Sequence, residues 1–206
     1  MITVSFIPVY IVLCAVWIGL YIRLPQHKKP RGISACAYIL FGVYIGALIH
    51  VTFTPFVYMQ GTAGPSMNLI PGVQTYLMIK LGVPSAAWYN VIGNFVMLMP
   101  CALLAPLIFV NMNTWWSITL RSCIISVCIE VCQLLFAIRI FDVDDIILNT
   151  LGASCAYALV SRLPLWRALV SKSQRGIVLT IPVIAGFSGF MGLIIGFLFA
   201  ATWASA

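Results

Sequence analysis

The chain reads as a succession of apolar runs broken by short polar punctuation. A helix that crosses a bilayer needs about 20 mostly apolar residues. Residues 2–22 and 33–56 meet this, separated by RLPQHKKPR with its charges and prolines. A polar stretch bearing Gly and Pro continues to about residue 86, and further apolar runs cover 88–110, 117–138, 146–162 and 177–200. NMNTWW links the third run to the fourth, and a basic connector reaching Gly176 links the fifth to the sixth. The pattern predicts an all-α fold, a polytopic transmembrane helical bundle of about six spans. Three segments follow: 1–56 with two spans and a basic loop, 57–162 with an outer loop and three spans, and 163–206 with the connector and the last span.

Composition agrees. Hydrophobic residues make up 63% of the chain and charged residues 7%, against roughly half and a quarter in soluble domains. So few charges cannot cover a soluble surface, which excludes that class. The net charge of +7 does not indicate nucleic acid, because the basic residues sit between apolar runs. Arg23, Lys28, Lys29 and Arg31 form one cluster and Arg162, Arg167, Lys172 and Arg175 another. Such clusters mark cytoplasmic loops and face anionic headgroups. Both loops inside, with six spans, puts both termini on the outer side of the membrane. The N-terminus has no basic n-region and a long apolar run, so the first span is expected to be retained.

The seven cysteines all lie in apolar stretches without a CxxC pair, the usage of small packing residues. Gly192, Gly196, Ala200 and Ala204 recur every four residues in the last span. A stripe of small residues lets helices approach closely, within one molecule or across a homodimer.

Candidate chemistry concentrates in one passage. The chain has four acidic residues, and Asp142, Asp144 and Asp145 fall together in RIFDVDD, with Glu130 upstream in an apolar run. Helical spacing puts Asn90 and Asn94 on one face of the third span, Glu130 and Gln133 on one face of the fourth, and Asp145, Asn149 and Gly152 on one face of the fifth. At about 1.5 Å per residue these sets lie at compatible depths at the outer end. An ionised Glu130 facing lipid at mid-depth would cost roughly 2.5–3.5 kcal/mol or more, so it must be protonated, paired or turned to a wet cavity. Gln133, Asn94 and Asn149 are the expected hydrogen-bond partners of Glu130. The structural alternatives are a protonated interhelical bond at Glu130, a solvated cap of acids on the fifth span, and asparagines acting as helix glue.

These residues resemble the VanZ-like family of bacterial membrane proteins over roughly residues 66–160. Asn68-Leu69-Ile70-Pro71 is similar to the family's NLIP segment, and Asn90-x-x-Gly93-Asn94 followed by Met99-Pro100 to its N-x-x-G-N…P element. Glu130-x-x-Gln133, Arg139-x-x-Asp142-x-Asp144-Asp145 and Asn149-Thr150-x-Gly152 complete the series. Cys101-Ala102 and Ala156 depart from it, where the family often has a bulky residue with glycine and a second glycine. The resemblance implies reduced sensitivity to glycopeptide antibiotics, teicoplanin especially, and supplies no molecular activity.

Together these readings give an outward-facing polar site that binds or modifies a membrane lipid or lipid-linked cell-wall precursor, with the glycopeptide antibiotic itself as a further partner. Glu130 and Asp145 are the candidate catalytic groups, Glu130 as general acid or base. Asn68, Asn90, Asn94, Gln133, Arg139, Asp142, Asp144 and Asn149 are the candidate substrate-binding residues. A divalent cation is the candidate cofactor, held by oxygens of Asp142, Asp144 and Asp145. The alternatives are a proton-coupled transporter or flippase using Glu130, and a non-catalytic structural membrane protein.

Overall fold

The computed structural model describes residues 7–26, 29–53, 67–81, 84–135 and 140–173. Among these, α1 covers Ile7–Arg23 and α2 Ile33–Phe53. The short strand β1, Met67–Asn68, leads to α3, Val73–Lys80. Then come α4 (Pro84–Met97), α5 (Met99–Ile108) and α6 (Trp115–Leu135). β2 (Phe141–Asp142), α7 (Val143–Val160) and α8 (Pro164–Lys172) complete the order. Among the described residues, four stretches are long and apolar enough to cross a membrane: 33–52, 87–108, 115–135 and 143–160. The chain is therefore a helical membrane protein. The expected sixth span over 177–200, with its stripe of small residues, lies outside the described residues.

Local chemistry sets the breaks. The third span is two helices, because Leu98 leaves helical geometry and Pro100 stands at the start of α5, a position where its missing N–H costs nothing. α6 begins after Thr114, whose Oγ1 accepts from the Ser117 N–H at 3.3 Å. α7 ends before Pro164, and the Arg167 side chain donates to the carbonyls of Ser161 (3.0 Å) and Arg162 (3.3 Å), occupying oxygens that a helix end leaves free.

Two expected loops contain helices. The stretch before residue 86 holds α3, none of whose residues is buried. The basic connector holds α8, which packs Trp166, Leu169 and Val170 against the core while Leu165 stays exposed. Both helices are too short to span.

The core lies between α2, α5, α6 and α7. Leu98, Ala102, Ala105, Ile108, Met112 and Ile118 are fully buried there. Cys101, Ala102 and Ala156, the departures from the VanZ-like pattern, are buried small residues of this packing. α1 joins α2 through Trp17 and Tyr38, whose rings stack with centroids 4.3 Å apart. Trp17 Nε1 donates to the Tyr38 carbonyl (3.1 Å) and Tyr38 Oη to the Trp17 carbonyl (2.9 Å). Both polar tips are thus satisfied where water is scarce.

α6 and α7 run antiparallel. Thr119 meets Ser154 at one end, 2.9 Å apart, and Glu130 meets the Asp142 backbone at the other. Phe41 in the first half of α2 touches Phe109, 5.6 Å between centroids, and Thr52 near its end meets Gln133. The basic loops at 29–31 and 162–172 therefore share one end of the bundle, and the three aspartates occupy the other.

Candidate functional site

The acidic end is built on the entry to α7. Asp142 caps the helix, its Oδ1 accepting the Asp144 N–H at 2.9 Å. Asp144 and Asp145 fill the first turn, where the helix dipole favours negative charge by about 0.3–1 kcal/mol each. That local logic fixes the backbone and aims the three carboxyl groups in different directions.

Asp142 turns to β1. The pair β1–β2 is parallel, with Asn68 opposite Asp142, and Asn68 Nδ2 donates to Asp142 Oδ1 at 2.8 Å. Asn68 Oδ1 in turn accepts the Ile70 N–H at 3.3 Å. Asp144 turns to the loop after β1, where its Oδ1 accepts the Gly72 N–H at 2.6 Å. Gly72 has φ of 82°, a left-handed conformation that favours glycine. Asp145 turns to α4, its Oδ1 accepting from Asn90 Nδ2 (3.2 Å) and from Asn94 Nδ2. Asn94 Nδ2 also reaches Asn90 Oδ1 at 3.2 Å. α4 and α7 can come this close because Gly152 lies against the α4 backbone: a Cβ there would fall on the Phe95 carbonyl oxygen.

Glu130 is the deepest acid, 1% exposed. The expected partners Gln133, Asn94 and Asn149 spend their amides elsewhere, and Glu130 Oε2 accepts the Asp142 backbone N–H at 2.9 Å. Gln133 Nε2 donates to the Thr52 carbonyl of α2 at 3.1 Å. Asn149 Nδ2 donates to Ser126 Oγ at 2.9 Å. Helical angles place the right faces together but omit the backbone donor at the α7 entry.

The structure thus gathers Asn68, Asn90, Asn94, Glu130, Asp142, Asp144 and Asp145 into one cluster at the α7 entry. It is hydrogen-bonded in two sets, Asn68 with Asp142, Asp144 and Glu130 and Asp145 with Asn90 and Asn94. Gln133 and Asn149 lie beside it on separate partners. Arg139 lies outside the described residues. The three aspartates do not fit a shared cation: they face separate elements, and among the described residues no three His, Cys, Asp or Glu side chains are grouped to hold a metal ion. One carboxylate oxygen remains open, since Asp144 Oδ2 is buried without a hydrogen-bond partner. Sequence reasoning missed Gly72, Thr52 and Ser126. Ser126, one turn before Glu130, was legible from spacing, while Gly72 and Thr52 contribute backbone groups that no side-chain pattern signals.

A family model described as VanZ/LLP1 matches residues 41–167, more than half of the chain. The chain belongs to the VanZ/LLP1 family. The match begins inside α2 and ends inside α8, so the VanZ/LLP1 region takes in the whole acidic cluster and leaves α1 outside. No curated protein and no solved structure matches the chain.

Proposed function

We propose that this VanZ/LLP1 protein binds the headgroup of a lipid or lipid-linked cell-wall molecule at the acidic end of the bundle, on the outer side of the bacterial cytoplasmic membrane. The observation that carries this reading is Asp144, whose buried Oδ2 has no partner. A buried carboxylate oxygen left unpaired costs about 1–3 kcal/mol or more, which a donor on a ligand would recover. Such a donor is a hydroxyl, an amide or an ammonium group, as sugar and amine headgroups present.

The surroundings suit a ligand that arrives from the bilayer. Asp144 also holds Gly72, at the head of α3, and that segment exposes Met67, Leu69, Ile70, Tyr76, Ile79 and Leu81. In a membrane such side chains face acyl chains. The segment would bring an acyl tail and a headgroup to the same place. The side follows from the basic loops at the opposite end, which the positive-inside rule assigns to the cytoplasm. Glycopeptide resistance of the teicoplanin type would follow if the bound molecule is one the antibiotic recognises or displaces. Catalysis by Glu130 is a narrower form of the same reading.

A second reading has its own support: every carboxylate in the cluster already holds a protein donor, so the cluster would serve as a non-catalytic clasp that fastens the 67–81 segment. Mass spectrometry of lipids and lipid-linked precursors separates the two, using cells with equal levels of the native protein or Glu130→Gln. A species that changes with the native protein alone establishes chemistry. Unchanged profiles with one lipid co-purifying with the native protein establish binding. Unchanged profiles with no co-purifying lipid overturn the proposal and leave the clasp.

A further inference from the structure

The α6–α7 interface carries a polar seam that the headgroup reading does not use. Thr119, Ser122, Ser126, Glu130 and Gln133 follow one another at three- and four-residue steps along α6, one stripe from the basic end to the acidic end. α7 answers with Ser154, Thr150 and Asn149. Thr119 and Ser154 share a hydrogen bond at 2.9 Å, and Ser154 Oγ also donates to the Thr150 carbonyl at 2.7 Å. Asn149 Nδ2 reaches Ser126 Oγ at 2.9 Å, and Glu130 closes the series on Asp142.

Ser122, Ser126 and Asn149 are fully buried. Yet Ser122 Oγ, Thr150 Oγ1 and Asn149 Oδ1 have no hydrogen-bond partner. Exchanging the oxygen and nitrogen of the Asn149 amide does not remove the deficit, because one of its two atoms still lacks a partner. Buried open polar atoms along one helix–helix seam call for water, which needs two to four polar neighbours. The spacing accommodates it. Steps of three or four residues rise about 4.5–6 Å, and one water bridging two groups spans about 5–6 Å.

We infer that the α6–α7 seam holds internal water and forms a proton path between Glu130 and the basic end of the bundle. The inference stands apart from the identity of any headgroup. A proton would pass from the Thr119 and Ser154 hydroxyls by way of water at Ser122 and Thr150 to the Ser126 hydroxyl, which the Asn149 amide orients, and by a further water to the Glu130 carboxylate. Each hydroxyl accepts one proton and releases another, so the chain is restored. The titratable groups toward Glu130 are His50 on α2, Cys128 and Cys132 on α6, and Asp142, Asp144 and Asp145 at the α7 entry, and toward the basic end α6 carries Arg121 and Cys123 and α7 carries Cys155 and Tyr157. α4 contributes the amides of Asn90 and Asn94.

The test is infrared spectroscopy of the full chain in lipid nanodiscs. The Glu130 carboxyl band is identified by its loss in Glu130→Gln, and its shift is timed after transfer to deuterated water. Ser122→Val fills the space and removes the hydroxyl, and should slow the exchange about tenfold by breaking a water bridge. Ser122→Ala, a milder change, should slow it less, and Val127→Leu on the exposed face should leave it unchanged. Equal rates in native and Ser122→Val protein overturn the path. So does a Glu130 that shows no protonated band from acid to alkaline pH, since a group that never takes a proton needs no route for one.

Discussion

The two ends of the bundle are held by different forces. Toward the basic end Ile108, Met112 and Ile118 are fully buried, and Phe41 meets Phe109 edge-on. Packing of this kind is non-directional and tolerates another apolar shape of the same volume. At the acidic end the links are hydrogen bonds from named amides to named carboxylate oxygens. In a low dielectric each is strong when made and expensive when half removed. One end is thus specified by volume and the other by chemistry, so equal changes in size should have unequal effects.

The largest effect is expected where the two ends are joined. Gly152→Val would drive side-chain atoms into the α4 backbone at Phe95, costing about 3 kcal/mol or more. Yield and thermal unfolding of the purified protein would show it as loss of a folded species. Next, Asp145→Ala removes the carboxylate oxygen that accepts from Asn90 and Asn94, an expected loss of roughly 2–3 kcal/mol in denaturant unfolding. The sharper pair is Asp145→Asn against Leu107→Met, a buried leucine near the end of α5, both close to constant volume. The methionine should cost under about 1.5 kcal/mol. The asparagine, with a single carbonyl oxygen for two donors and an added N–H, should cost more. Equal losses would remove the distinction between the ends.

Smaller changes follow at single bonds. Asn68→Ala breaks the link to Asp142 and frees the Ile70 N–H. The local loss should be about 1–1.5 kcal/mol, seen as roughly tenfold faster hydrogen exchange at Gly72, with the aromatic end unaffected. Trp17→Phe keeps the ring stack on Tyr38 and removes one bond, so its unfolding should shift by about 1 kcal/mol or less.

The contrast between ends also explains what the sequence reveals. Apolar runs announce spans by composition, and α2, α6 and α7 lie close to their expected bounds. DVDD announces a helix entry because acids there cap and oppose the dipole, and Asp142 is the cap. Convergence of Asn90, Asn94 and Asp145 was legible from helical faces. The parallel pairing of Met67 with Phe141 was not, since it joins segments 74 residues apart through two-residue strands. Nor was the Asp142 N–H that Glu130 accepts: a backbone N–H carries no residue type. α3 escaped notice because VQTYLMIK buries no face and so shows no amphipathic period.

The most direct test of the central claim, that the acidic end receives a headgroup, is native mass spectrometry of the protein released from nanodiscs made with its own cell lipids. Asp144→Asn keeps one oxygen for Gly72 and replaces the open one with an amide, so its fold should survive. The account predicts a lipid or lipid-linked adduct on the native protein that is lost in Asp144→Asn while thermal unfolding stays close to native. The same adduct at the same occupancy in both proteins would contradict it.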